Sequence, residues 1–516
     1  MSASIGLLTR FLADAVARAP ESLAVVDQDH ALSYRDLAAA ATRLAAELAC
    51  RGVGRGDRVI LMQPNSAAFC VAWWGILAAG AVAVPLNPET LPARLAFILG
   101  NCTPRAIIAD SALGETVAQA QAEAGQALPV LEADRLAAPF PGDEAPATLA
   151  QPPVLDLDLA AIIYTSGSTG APKGVMLTHL NMTAAARSVA QYLGYQPEDH
   201  IFCAIPMSFD YGLHQVNMAA LTGASVRAEP GFTQPFFALK HLQDSGATVL
   251  PLVPTMVPMI APLADRFDLS RVRLVSSTAA ALHAELIDTI CAVLPGARVF
   301  SMYGLTECHR CTYLPPAELQ RRKTSVGIAI PNTELWVIDD AGQAHRHSAT
   351  GELVIRGATV MKGYWQNPEA TARRLKPGPL PGEMVLHTGD ICRLDAEGFL
   401  YFVARTDDIL KIGGEKVAPS EVEAVLSAHD LVSEVCVLGA AHPVHGQVCV
   451  AHVTGTATPK ALLDWCRSRL APASVPFRVM IWDAMPRTQN GKIDRAALAA
   501  RFEAPRPPVA ALQPAE

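Results

Sequence analysis

The chain has 516 residues, 51% hydrophobic and 17% charged, so it can build a large core and is not a disordered polymer. Lys and Arg number 41 against 49 Asp and Glu, and the resulting charge of −8 gives no general attraction for nucleic acid or an anionic membrane. At about 100–200 residues per domain the length predicts roughly two to four domains. The 11 cysteines run from Cys50 to Cys466 without a regular framework, which reads as a reduced, cytoplasmic chain whose thiols fill apolar core. Cys308 and Cys311 form a C-x-x-C with no second close pair to complete a four-ligand zinc site.

Taken in chain order, the first twenty residues spread Arg10, Asp14 and Arg18 through a helical pattern, unlike a signal peptide. Leu37, Ala41, Leu44 and Leu48 repeat at helical spacing, with Ser33 placed to cap the start and Gly52 to end it. Val59 to Pro88 carries no charged residue and is long enough to raise a membrane span. Yet Gln63, Pro64, Asn65 and Ser66 open it, and Gly75, Gly80 and Pro85 punctuate it. The segment therefore reads as a buried helix Ala67–Ala79, a Gly80 stop and a strand Ala81–Val84, with no membrane span.

Strand candidates Arg58–Met62, Arg105–Ala109 and Ala160–Tyr164 alternate with helical patterns and predict α/β layers. In such sheets ligands bind at the carboxyl ends of the strands. Pro139–Pro153 reads as a surface excursion. Near Arg405 the texture changes to helix Ser420–Leu426, strands Val432–Leu438 and Gly446–His452, and helix Pro459–Leu470. The expected organisation is a large α/β domain with mixed sheets over 1–404, a small mobile α+β domain over 405–502 hinged at Asp407, and a disordered proline-rich tail over 503–516.

The strongest chemical signal follows strand Ala160–Tyr164. Thr165, Ser166, Gly167, Ser168, Thr169 and Gly170 lead to Lys173, so backbone N–H groups and hydroxyls can converge on a phosphate while Lys173 adds a point charge. Lys173 is followed by Gly174 and not by Ser or Thr, which sets the loop apart from those of P-loop kinases and motor ATPases.

With that loop, the chain resembles the adenylate-forming enzymes, the superfamily of acyl-CoA synthetases, luciferases and peptide-synthetase adenylation domains. The further matching stretches are Leu77–Pro88, Met302-Tyr-Gly-Leu-Thr-Glu307, Gly351-Glu-Leu, Gly363-Tyr-Trp, His387-Thr-Gly-Asp390, Ala404–Lys411 and Pro486–Asp494, so the resemblance covers the chain up to about Phe502. It implies a large domain with a small mobile one, ATP and Mg²⁺ as requirements, and acyl transfer to CoA or to the phosphopantetheine of a carrier protein. It further implies that Tyr303 lies against adenine, that Thr306 bonds the α-phosphate, and that Glu307 holds Mg²⁺. Asp390, helped by Arg405, would take the ribose hydroxyls. Lys492 would serve acyl-adenylate formation, and rotation about Asp407 would then bring the strand near Gly413 and Gly414 to the thiol arm.

Two places depart or divide. Where relatives carry a glycine pair on the adenine side, this chain reads Ser276-Ser-Thr-Ala-Ala-Ala-Leu282. Phe209-Asp210 falls where amino-acid-activating relatives place an Asp for the substrate ammonium, while the stretch ending at Pro88 looks like that of stand-alone acyl-CoA ligases. Asp210 is open to two readings, an ammonium anchor or a cap of the helix that follows. His214 and the Cys308-His309-Arg310-Cys311 run are expected to line or back the acid pocket, along with Phe209–Gln215 and Val253–Ile260. Arg321-Arg-Lys323 reads as a solvated basic loop, with a CoA phosphate or an acidic carrier as the alternative. The expectation is an AMP-forming acid–thiol ligase using CoA on a small carboxylic acid. The alternative is an enzyme loading an amino acid onto a separate carrier protein, and a catalytically silent binding protein stands outside both.

Overall fold

The computed structural model describes residues 6–137, 149, 152–165, 172–412, 415–442, 446–488 and 493–503. The Pro139–Pro153 excursion falls mostly outside the described residues, and so does the tail beyond Glu503. The chain divides into two units, Met1–Thr388 with Arg393–Tyr401, and Gly389–Cys392 with Phe402–Glu516.

In the larger unit, a seven-stranded sheet is built on parallel strands Arg58–Met62, Val82–Leu86, Ala106–Ala109, Val130–Glu132 and Leu159–Thr165. Lys173–Thr178 and Gly363–Tyr364 add antiparallel to its edge. A nine-stranded sheet has a parallel centre in the order Arg298–Tyr303, Leu274–Ser277, Val249–Leu252, His200–Cys203, Ser225–Ala228 and Leu23–Val26. Its remaining strands, Thr312–Leu314, Ile328–Ala329 and Ala31–Ser33, run antiparallel at the two ends. The sheets are mixed because hairpins close the edges of parallel cores.

Local sequence explains the helices that carry these sheets. Ser33 and Asp36 form a capping box at the start of Tyr34–Cys50. Every residue of the Ala67–Ala78 helix is buried, as an apolar surface on all sides demands. No described helix is long and apolar enough to cross a membrane.

The turn before that helix does more than open it. Asn65 donates its amide to the carbonyls of Cys203, Ile205 and Glu229 at 3.2, 2.8 and 2.9 Å, and its Oδ1 accepts from Met207 N–H at 2.7 Å. One side chain at the end of strand Arg58–Met62 thus pins the ends of two strands in the other sheet. A third, six-stranded sheet holds Thr333–Ile338, Ala349–Gly357 and Met384–Leu394 at its centre. The smaller unit packs helices Pro419–Ser427 and Pro459–Arg467 on the sheet Val432–His442, Gly446–Gly455 and Arg478–Trp482, with Val422, Leu426, Leu462 and Val453 in its core.

Two predictions follow from this packing. Asn65→Ala removes the side-chain partner of four backbone groups, of which the Cys203 carbonyl keeps the Glu229 N–H, and about 3 kcal/mol of stability should go with the loss. An unchanged urea midpoint would show that water replaces the amide without loss. The second concerns His179, whose buried Nδ1 accepts from Leu8 N–H at 3.3 Å and whose pKa burial pushes down to about 4. The unfolded chain then binds more protons than the folded one, so stability falls as pH drops below about 6.5. Between pH 6.5 and 5 this one ring should cost roughly 2 kcal/mol. His179→Gln should flatten the dependence of Tm on pH over that interval; the same slope in both proteins would overturn the assignment.

Candidate active site

Strands Leu159–Thr165 and Lys173–Thr178 form a hairpin in which Thr165 pairs with Lys173 and Tyr164 with Gly174. Thr165 and Lys173 therefore stand opposite each other at its mouth. Ser166, Gly167, Ser168, Thr169 and Gly170 lie outside the described residues. Tyr364 pairs with Val175 on the neighbouring strand, and Lys173 Nζ sits 5.8 Å from the centre of the Tyr364 ring. The Tyr364 hydroxyl donates to Glu307 Oε1 at 2.6 Å, and Met361 N–H donates to the Glu307 carbonyl at 2.8 Å. Burial and the Glu307 carboxylate hold the phenol well above its usual range, so it stays a donor. Tyr364 thus joins Lys173 to Glu307, a role that sequence reasoning missed although its Gly363-Tyr-Trp motif was in view.

Tyr303 ends strand Arg298–Tyr303 and is half-buried, like Thr306 and Glu307 after it. The turn depends on Gly304, where an added Cβ would fall 1.9 Å from the His309 carbonyl oxygen. His309 itself is held at φ 61°, in the left-handed region, while Cys311 N–H closes the turn on the Tyr303 carbonyl at 2.9 Å. Cys308 and Cys311 are free, buried thiols with their sulfurs 3.2 Å apart. Among the described residues no group of three or more His, Cys, Asp or Glu could hold a metal ion. Glu307 alone suits Mg²⁺, a hard cation usually shared between one or two carboxylates and substrate phosphates.

The stretch Ser276–Leu282 begins in the last two residues of strand Leu274–Ser277. In this stretch, where the resemblance expects a glycine pair, Ala279 adopts φ 76°. A residue with a Cβ in that conformation costs roughly 1–2 kcal/mol.

Asp210 is the first residue of the helix Asp210–Thr222, whose N-cap position is taken by Phe209 without a side-chain bond. The Asp210 carboxylate turns to Arg310, whose Nη1 donates to Oδ2 at 3.0 Å with both side chains buried. The guanidinium also lies 4.6 Å from the centre of the Tyr211 ring, and the Tyr211 hydroxyl donates to the Ser276 carbonyl at 2.8 Å. His214 meets His309, Nε2 to Nδ1, at 2.9 Å. Gly212 allows this helix to sit close, since a Cβ there would lie 2.3 Å from the Pro206 carbonyl oxygen. Asp210, His214, His309 and Arg310 thus meet at one end of the nine-stranded sheet, and Arg310 is the partner that the sequence did not indicate for Asp210.

In the smaller unit Asp390 is buried and accepts from Arg405 Nε at 3.1 Å. Asp407 falls in the turn Thr406–Asp408, its side chain outside the described residues, as are Gly413, Gly414 and Lys492. The Arg321–Lys323 cluster of the larger unit is engaged by acids. Arg321 pairs with Glu318 and Glu397, Arg322 with Glu318, Asp395 and Glu397, and Lys323 with Asp288. These carboxylates neutralise the loop that the sequence left as solvated or phosphate-binding.

Comparison with known proteins gives the family. Residues 12–365 match the family model described as AMP-binding enzyme, and residues 421–492 match the AMP-binding enzyme C-terminal domain. The chain is 33% identical over 498 residues to 4-coumarate–CoA ligase 5 of Oryza sativa subsp. japonica, covering 92% of this chain and 90% of the relative. It is 30% identical to long-chain-fatty-acid–CoA ligase FadD13 of Mycobacterium tuberculosis, covering 92% and 94%. The crystal structure of ATP-bound MatB from Rhodopseudomonas palustris superposes with a TM-score of 0.86 at 28% identity, covering 96% of this chain and 99% of MatB.

The buried ion pair makes a test of its own. Arg310→Met should destabilise the protein by about 3–5 kcal/mol, because Asp210 is left buried and unbalanced. Adding Asp210→Asn should restore most of the loss in a double-mutant cycle on urea midpoints. Strictly additive losses would show that the two side chains are not coupled.

Proposed function

Because the chain belongs to the AMP-binding enzyme family and is an ATP-dependent acid–thiol ligase, we propose that it makes the CoA thioester of a carboxylic acid that carries no α-ammonium. The observation that supports this best is the Asp210–Arg310 pair. An Asp that anchors an ammonium must have charge to give, and Arg310 already balances Asp210 from within the chain. The CoA acceptor is supported by the two relatives above, which are named as CoA ligases of coumarate and of long-chain fatty acids.

The proposed chemistry runs in two halves. The acid's carboxylate attacks the α-phosphorus of ATP, giving an acyl-adenylate and pyrophosphate; then the CoA thiol attacks the acyl carbon and AMP leaves. The nucleophile is ionised at neutral pH, so no general base is needed for the first half, and the barrier is the approach of two anions. Lys173 and Lys492 are assigned to offset that charge, with Thr306 on the α-phosphate. Thr165, Ser166, Gly167, Ser168, Thr169 and Gly170 are assigned to the outer phosphates. Tyr303 is assigned to adenine, and Asp390 with Arg405 to the ribose. Mg²⁺ held by Glu307 would neutralise phosphate charge, and Tyr364 fixes the carboxylate that holds it. We assign the thiol arm to the strand near Gly414, reached by rotation about Asp407.

Exchange of labelled pyrophosphate into ATP, over a panel of amino acids beside aliphatic and aryl acids, tests the reading. Amine-free acids should drive exchange, and added CoA should yield a thioester; exchange confined to amino acids would overturn it. Lys492→Ala should lower exchange about 10²–10³-fold, while thioester formation from a supplied acyl-adenylate persists.

A further inference from the structure

His214 lies one turn into the Asp210–Thr222 helix, and His309 lies in the turn after strand Arg298–Tyr303. Their ring centres are 4.5 Å apart with the planes crossed at 72°, and Nε2 of His214 is 2.9 Å from Nδ1 of His309. Both rings are buried to about 1% exposure. Burial keeps them neutral, holding His214 well below its ordinary range and His309 down to about 3.

A neutral imidazole carries one N–H, so a pair joined by one hydrogen bond has two tautomeric arrangements. If His214 Nε2–H donates, His309 Nε2 must carry a proton and His214 Nδ1 is a bare acceptor. If His309 Nδ1–H donates, His214 Nδ1 carries the proton and His309 Nε2 is the bare acceptor. Either way the pair presents one donor and one acceptor at its two outer atoms. Those two atoms, His214 Nδ1 and His309 Nε2, are buried and have no hydrogen-bond partner among the described residues. Arg310 Nε beside them is in the same condition.

Buried polar groups are rarely left this way without a purpose. His309 also holds a left-handed backbone angle that side chains disfavour, and such strain clusters at binding sites. The location agrees. Cys203, Leu252, Ser277 and Tyr303 end four adjacent parallel strands of the nine-stranded sheet, and Tyr211 ties the helix of His214 to Ser276 at that edge. Ligands of parallel sheets bind at this edge.

The charge balance narrows what the pair can meet. Asp210 balances Arg310, so the surroundings carry no net charge to draw either a cation or an anion. A neutral group that both donates and accepts remains, and among the substituents an organic acid can carry a hydroxyl is the smallest of these. We propose that the His214–His309 pair is a specificity element that reads a hydroxyl, remote from the reacting carboxylate, on the acid this enzyme activates. The inference rests on the reading of the chain as a ligase of amine-free acids.

The test compares acids of one skeleton that differ only in hydroxyl against methyl, in benzoic, cinnamic and straight-chain series, by acid-dependent pyrophosphate exchange. The wild-type protein should favour one hydroxy acid over its methyl counterpart by at least about 100-fold in kcat/KM, since buried polar groups left unpaired penalise the analogue. His214→Phe should lower that preference to a few-fold, by loss on the hydroxy acid and not on the methyl acid. His309→Asn, which tolerates the left-handed angle, should do the same. His214→Gln, which keeps a donor and an acceptor, should retain part of the preference. Exchange with amine-free acids but no hydroxyl preference, or a preference that survives both His214→Phe and His309→Asn, would overturn this inference alone. Exchange confined to amino acids would instead overturn the reading on which it rests.

Discussion

A carboxamide buried between two sheets must bond to whatever backbone surrounds it, and Asn65 does so on both of its polar atoms. It reaches the carbonyls that end His200–Cys203 and follow Ser225–Ala228, and it receives the N–H of Met207. The loop it holds, residues 203–207, leads directly into Phe209 and Asp210. The orientation of the Asp210–Thr222 helix, and with it the place of His214, therefore descends from one amide set at the end of a strand in the other sheet. An apolar residue there would leave those groups facing each other dry, which is why a polar side chain survives beside a wholly buried helix.

From that helix the site is built by close approach. Gly212 lets it lie against the Pro206 carbonyl, and Gly304 lets the turn after Tyr303 fold back on His309. These contacts bring together a carboxylate and a guanidinium that would each be costly alone. Together they are neutral, and the surrounding imidazoles are neutral too, so the end of the sheet is polar without net charge. Such a place discriminates by hydrogen bonding more than by attraction of ions. At the mouth of the Leu159–Thr165 hairpin, Lys173 and Glu307 are both half-buried, and Tyr364 contacts the one through its ring and the other through its hydroxyl.

Local chemistry was legible where neighbours in sequence are also neighbours in space. Ser33 and Asp36 form the box that their spacing suggests. The uncharged run after Val59 becomes a buried helix and strand at nearly the predicted limits, Ala67–Ala78 and Val82–Leu86. Strand Val432–Leu438 was read too short, because its pairing with Gly446–Gly455 continues to His442 through Gly439 and two alanines, which carry little strand signal. The glycine pair missing from the adenine side was visible as a departure. That Ala279 nonetheless takes the left-handed angle was not, since a dihedral is imposed by the chain on both sides.

By itself the sequence determined the fold class, the family and the phosphate chemistry, because these rest on ordered short motifs and on periodic patterns that each local segment carries whole. Only the tertiary structure decided what residues distant in the chain do to one another. Asp210 and Arg310 are 100 residues apart, His214 and His309 are 95, and Glu307 and Tyr364 are 57. A carboxylate read alone can anchor an ammonium or cap a helix; what the fold adds is its pairing with a buried guanidinium. The reason is that charge and hydrogen bonding act across distances of a few ångströms, and which groups lie that close is set by packing between elements rather than by position along the chain.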